Sequence, residues 1–183
     1  MERTTMLGYA ILGLLRGKPS SGYELRKIFG ESPMGRFSDS PGAIYPALRR
    51  LEDRRLIAAS PNARPTQRRR KAFQLTPGGV VTLKEWLQAP ISQTDVANRL
   101  NVLMLKFAFM DGALGERATI AFLREFEREL NAYVAVLTKY VQGNSTHMAT
   151  SSLLALQSGL LGYRAQVKWL RHAIETYKKK VEL

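Results

Sequence analysis

Cysteine is absent from the 183 residues, which excludes disulfides, thiolate zinc sites and cysteine nucleophiles. Histidine is scarce. His147 and His172 are the two in the chain, and neither has a second histidine at ligand spacing, so no metal site is expected. A long apolar run is also missing. Leu7 to Leu15 is too short and too broken by glycine to span a bilayer. The opening Met1-Glu2-Arg3-Thr4-Thr5 is not a basic leader ahead of an apolar core. These absences predict a soluble, cytoplasmic protein without membrane contact. No residues form a catalytic triad pattern, and Gly13, Gly17 and Gly22 do not make a phosphate-cradling loop after a strand. No catalytic residue and no cofactor is expected, and the chain does not read as an enzyme.

What is present is a globular balance of 45% hydrophobic and 23% charged residues, enough to bury a core. The charge is lopsided: 28 Lys and Arg against 15 Asp and Glu give +13. Residues 1–90 hold 16 basic and 7 acidic residues, and residues 91–183 hold 12 and 8. Such an excess suits a polyanionic partner, and it favours the first half for touching phosphate. A merely solubilising role has the same charge signature, so the choice rests on where the charges fall.

Periodicity predicts a first helix from Thr4 or Thr5 to about Leu15, with Leu7, Ile11, Leu14 and Leu15 on one face. Ser21-Gly22-Tyr23-Glu24 has the capping-box pattern and opens a second helix, with Gly30 as its stop. A third helix ends near Arg54 or Arg55, with Ile44, Leu48 and Leu51 inward. Pro46 argues for a start near Ala43 rather than at Ser40-Pro41, because it then lies in the first turn. Leu56–Ala59 and Lys71–Leu75 read as strands joined by a polar loop. Thr76-Pro77 caps a fourth helix with Val80, Leu83, Trp86 and Leu87 inward, and Pro90 marks the subdomain boundary. Beyond it the chain reads as helical: about Val96 to Met110, Gly115 to Gln142, and Ala149 to Lys179.

Helix, helix, helix, strand, basic loop, strand, helix is the order of a winged helix-turn-helix. The expected fold class is therefore mainly α with a small β wing, followed by an all-α second part. The third helix is the one suited to a major groove of double-stranded DNA. With its apolar face inward, Tyr45, Arg49 and Arg50 project elsewhere. Ser38, Ser40 and Gly42 lie at or before its start, where small residues let free backbone donors approach a phosphate. The loop between the strands carries Arg64, Arg68, Arg69, Arg70 and Lys71. A solvated charge run is the alternative. Its place between two strands, where a wing belongs, favours phosphate or minor-groove contact.

These residues resemble the PadR family of bacterial transcriptional regulators. The resemblance rests on Leu7 to Leu15 (LGYAILGLL), Pro19 to Leu25 (PSSGYEL), Gly42 to Glu52 (GAIYPALRRLE), Arg69 to Thr76 (RRKAFQLT), Gly79, and Trp86-Leu87, in family order. It implies residues 1–90 as a winged helix-turn-helix and residues 91–183 as a helical dimerisation domain. It implies repression by a homodimer at a pseudo-palindromic promoter site, with release by a small effector. Phe73 departs from the family's usual tyrosine. If the missing hydroxyl touches phosphate in relatives, that contact is lost here.

The second half resembles the helical domain of longer PadR-like members through Leu154 to Leu160 (LALQSGL) and Trp169-Leu170. The face of Ile120, Leu123, Phe126, Leu130, Tyr133, Val134, Leu137 and Val141 exceeds the evident need of one small subdomain and points to a dimer. Trp86 and Trp169 sit on apolar faces, where core packing is the first reading. The resemblance adds a second for Trp169: stacking on a small aromatic effector, with Met104 and Phe107 among the pocket residues. Glu125, Glu127 and Glu129 read as an ion-paired face with Arg124 and Arg128, and Lys178-Lys179-Lys180 as a charged last turn. The rival to a sequence-specific regulator is a small-molecule-binding module with nonspecific DNA association.

Overall fold

The structure is a computed structural model and describes residues 4–37, 41–61 and 71–181. They form two compact units, Met1–Ala89 and Pro90–Leu183.

In the first unit α1 (Met6–Gly17) starts where Thr5 Oγ1 accepts the Gly8 N–H at 3.1 Å. The Ser21–Glu24 capping box is formed and opens α2 (Gly22–Glu31), with the Ser21 N–H donating to the Glu24 carboxylate at 2.7 Å. Gly30 is not the stop. The helix runs one residue past it, and Ser32, extended ahead of Pro33, ends it, because a proline disfavours helical backbone in the residue before it. Short 3-10 turns at Pro33–Phe37 and Pro41–Ala43 lead to α3 (Ile44–Asp53). Pro46 is the third residue of α3, in the turn whose N–H groups have no intrahelical acceptor, so its missing donor costs nothing there.

The strands make a three-stranded antiparallel sheet rather than a two-stranded hairpin. β1 (Ser20–Ser21) pairs with β3 (Ala72–Leu75), and β3 with β2 (Ile57–Ala59). Ala59 and Ser20 both face Phe73, and Ile57 faces Leu75. α4 (Pro77–Gln88) begins at Thr76, whose hydroxyl accepts the Gly79 N–H at 3.1 Å and donates to the Arg55 carbonyl at 2.6 Å. Ile11, Leu12, Leu25, Ile44, Ile57, Leu83 and Leu87 are fully buried and form this unit's core. Trp86 is a core residue, stacked on Tyr9 with centroids 4.5 Å apart and planes 8° from parallel.

Gly79 lets α4 meet the end of α3. A methyl group there would overlap the Leu56 carbonyl oxygen, a backbone atom that also accepts the Thr76 N–H at 3.1 Å. Gly79→Ala is therefore expected to destabilise the first unit by about 2 kcal/mol or more, as overpacking against backbone does. Urea unfolding should show a lower midpoint at unchanged slope. An unchanged midpoint would mean that α4 slides freely against the sheet.

The second unit departs from the expected helix boundaries. The stretch from Val96 to Met110 is not one helix. α5 (Gln93–Asn98) opens on a Ser92–Asp95 capping box, and the chain breaks at Arg99 before α6 (Leu100–Leu114). Asn98 and Asn101 flank the break, and asparagine competes poorly for helix interiors. Gly115, at φ +81, separates α6 from α7 (Glu116–Asn144). A 3-10 turn at Ser145–His147 precedes α8 (Thr150–Val181). α7 packs on α5, α6 and α8 of the same chain. Leu123, Phe126 and Leu130 are fully buried there and Val141 is buried too, so half of the face expected to supply a dimer contact is already used inside one chain, while Ile120, Tyr133, Val134 and Leu137 are half-buried. Lys180 pairs with Asp111 at 3.8 Å and also with Glu116, which ties the last turn of α8 to α6 and α7. Among the described residues no helix is long and apolar enough to cross a membrane.

Lys106, on α6, is a buried cation at 6% exposure. Burial lowers its pKa, and the nearby Asp95 and Glu125 charges oppose that shift. A folded pKa below the unfolded value means that the charged lysine costs stability at neutral pH. The cost fades as pH rises from the folded value toward 10.5, where the unfolded chain binds more protons. The stability difference between wild type and Lys106→Met is therefore expected to shift in favour of wild type between pH 7 and pH 10. Denaturant melts at the two pH values test this, and a gap independent of pH would refute it.

Candidate nucleic-acid interface

α3 is sharply two-sided. Ile44, Ala47, Leu48 and Leu51 are buried, while Tyr45, Arg49 and Arg50 are exposed. The 4-3 spacing of the buried residues fixes which side chains remain outside. Tyr45 is 50% exposed. Arg49 and Arg50 have no acidic partner among the described residues. They differ in setting, because Arg50 shares a small cleft with Thr4, Thr5, Gly8, Leu51 and Arg54 at the start of α1. The Arg54 guanidinium donates to Thr4 Oγ1 in that cleft at 2.7 Å. Gly42 is exposed in the 3-10 turn that feeds α3.

Of the hairpin cations, Lys71 is described, and it is tied down. Its Nζ lies 2.6 Å from the Glu52 carboxylate of α3 and 5.0 Å from the Phe73 ring centroid. Its charge is thus partly answered within the chain. Ser38, Ser40, Arg64, Arg68, Arg69 and Arg70 lie outside the described residues. The strands that flank the arginines are described, and Ser60 N–H donates to the Ala72 carbonyl at 2.9 Å at the base of that connection. Phe73, where a tyrosine was the expectation of the resemblance, is buried.

In the second unit Met104, Phe107 and Trp169 are brought near one another, Phe107 against Trp169 and Met104 against Gln166, three residues before Trp169 on α8. Phe107 meets Trp169 edge-on at 5.4 Å and Tyr177 at 6.2 Å, and Gln166 Nε2 donates to Met104 Sδ at 3.6 Å. A groove of about 340 Å³ lies elsewhere, lined by Asn131, Val134, Arg164, Val167, Lys168 and Arg171. The acidic run on α7 is structural. Arg128 pairs with Glu129 and Glu125, Arg171 with Glu127, and the Ile91 N–H donates to Glu125.

One surface escaped the sequence reading. Leu154 and Leu161 of α8 are 59% and 64% exposed, and Val136 and Tyr140 of α7 are also outside. From Thr150 to Tyr163 the chain has no charged residue. Leu154, Ser158, Leu161 and Ala165, spaced 4-3-4, lie exposed along one helix face. A fourteen-residue neutral stretch in a chain of net charge +13 was the available signal.

Three helices, a three-stranded antiparallel sheet and a capped fourth helix make the first unit a winged helix-turn-helix module. Within it, residues 11–85 match the transcriptional regulator PadR-like family, and the chain carries a PadR-like domain. The negative transcriptional regulator PadR of Bacillus subtilis (strain 168) is 38% identical over 92 residues. That match covers 49% of this chain and 50% of the relative, so it spans about half the length of the curated protein it resembles. A crystal structure of Bacillus subtilis PadR in complex with operator DNA is similar at 27% identity and TM-score 0.41, over 93% of this chain and 98% of that one. The same protein in complex with p-coumaric acid is similar at 23% identity and TM-score 0.42, over 97% and 98%. At TM-scores near 0.4 neither superposition transfers atomic positions to this chain.

Proposed function

We propose that this protein is a sequence-specific DNA-binding transcriptional repressor that acts in the cytoplasm as a homodimer at a pseudo-palindromic promoter site. The observation that carries the reading is the outer face of α3: a half-exposed tyrosine and two exposed arginines that have no acidic partner among the described residues, on a helix whose other face is wholly committed to the core. Such a helix fits a major groove, and exposed cations on it suit phosphate and base edges. Tyr45 and Arg49 read bases. Arg50, beside the start of α1, meets backbone phosphate, as do Ser38, Ser40 and Gly42 ahead of α3. Arg64, Arg68, Arg69, Arg70 and Lys71 of the hairpin supply the wing contact. The neutral stripe on α8 pairs two chains. The Met104, Phe107 and Trp169 cluster is where a small aromatic effector enters, by parting aromatic rings that touch in its absence. The reading assigns no residue to catalysis.

Selection of tight-binding duplexes from a random-sequence library, followed by titration against the selected and a scrambled duplex at two salt concentrations, tests the reading. A repressor of this kind prefers its site by about 4–10 kcal/mol at physiological salt. Weak binding that ignores sequence and disappears with salt would leave only the charge argument. It would point instead to a ligand-binding protein that attracts DNA nonspecifically.

A further inference from the structure

The edge of the Tyr45 ring lies on the α-carbon of Gly22, the first residue of α2. A methyl group on Gly22 would stand 2.8 Å from Tyr45 Cε1, 3.3 Å from its Cδ1 and 3.1 Å from Leu48 Cδ1. The first distance is shorter than carbon atoms tolerate. Gly22 is not required there for its backbone, since among the described glycines only Gly115 has positive φ. It is required for the space. The backbone around it is pinned by the capping box, in which the Ser21 N–H and hydroxyl both hold the Glu24 carboxylate at 2.7 Å. Leu48 is buried in the core and has little room to move. Tyr45, half in solvent, is the group that gives way.

We infer that Gly22 is a positioning residue for DNA recognition: it provides the flat seat that holds the Tyr45 ring against α2 and so fixes the pose of that ring on the face of α3. The inference rests on the reading of Tyr45 as a DNA-contacting residue. It assigns a DNA-binding role to a buried residue that touches no DNA, and it makes the α2–α3 contact part of the specificity of α3.

The experiment is a double-mutant cycle on Gly22→Ala and Tyr45→Ala, read as binding to the selected duplex and to a scrambled one, with thermal melting of each variant. In the free wild-type protein the Gly22 Hα resonance should be displaced by the Tyr45 ring current and return toward its random-coil position in Tyr45→Ala. Gly22→Ala is expected to weaken selected-site binding roughly tenfold, the size of one lost specific contact. It should leave scrambled-duplex binding nearly unchanged, lower the melting temperature only by the cost of the Leu48 contact, equally with and without the Tyr45 ring, and have no further effect on DNA binding once Tyr45 is alanine. An equal loss in the Tyr45→Ala background would overturn the inference, because Gly22 would then act through the fold. Undiminished binding by Gly22→Ala, with a clear loss in Tyr45→Ala, would overturn the seat while sparing Tyr45 as a contact. Undiminished binding by Tyr45→Ala would remove the reading on which the inference stands, whatever the ring current shows.

Discussion

Replacing Arg68, Arg69 and Arg70 together by alanine is expected to weaken binding to every DNA sequence and to flatten its salt dependence. Each phosphate neutralised releases condensed counterions and contributes about 0.9 to the slope of log affinity against log salt, so three lost contacts lower the slope by up to about 2.7. With the three contacts vanishing near 1 M salt, the loss is on the order of a thousandfold at 50 mM and under a hundredfold at 200 mM. The ratio of selected-site to scrambled binding should change little, since phosphate contacts position a protein without reading sequence. Lys71 supplies the internal contrast. Its ammonium already pairs with Glu52 at 2.6 Å, so engaging a phosphate requires leaving one anion for another, and Lys71→Ala should move the slope less than any one of the arginines. Titrations at four salt concentrations read both quantities. An unchanged slope in the triple variant would show that the hairpin does not approach phosphate, and the excess charge of the first half would then need another explanation.

The first unit was largely legible because local rules and the global fold agree there. The Thr5 and Thr76 caps, the Ser21–Glu24 box and the 4-3 spacing of Ile44, Leu48 and Leu51 each leave a signature within a few residues, and each is formed. Pro46 was informative because its missing donor is tolerated in only one turn of a helix. The third strand was not legible. Ser20–Ser21 is two polar residues with no alternation, and it becomes a strand because β3 offers it an edge. The stop of α2 was misplaced because Pro33, three residues beyond Gly30, decides it. In the second unit, apolar periodicity marked α7 as amphipathic but was silent on what covers its face. The buried Leu123, Phe126 and Leu130 belong to the chain's own core. On α3 the sequence pattern separated inner from outer residues. It did not separate Arg49 from Arg50, which differ through the cleft at the start of α1, nor did it foresee the seat beneath Tyr45.

The double variant Leu154→Glu and Leu161→Glu is expected to be a monomer. Two chains of net charge +13 repel, so a stable pair must meet where charge is absent, and α8 offers such a place from Thr150 to Tyr163. Leu154, Ser158, Leu161 and Ala165 follow the spacing of a helix-pairing seam, and the small members permit close approach of the backbones. The second half of α8 carries Arg164, Lys168, Arg171 and Lys178 to Lys180 against Glu175. An antiparallel crossing about the neutral segment points these halves apart, whereas a parallel one would stack them, so an antiparallel pairing is the expected one. In an antiparallel two-fold pair whose axis passes between them, position 154 of one chain faces position 161 of the other, so the introduced glutamates meet one another across the seam. Because both leucines are more than half exposed within one chain, the fold of the monomer should be unaffected, as for other surface substitutions. The effect on DNA is then one of linkage. A dimer binds its second half-site at a high effective concentration, and loss of that advantage lowers selected-site affinity by about 10²–10⁴-fold, with no change at α3 or the hairpin. Sedimentation equilibrium and DNA titration on the same preparation separate the outcomes. A variant that stays dimeric places the interface elsewhere on the helical unit. A monomer with wild-type affinity for the selected duplex shows that one winged helix suffices, and the expectation of a pseudo-palindromic site falls with it.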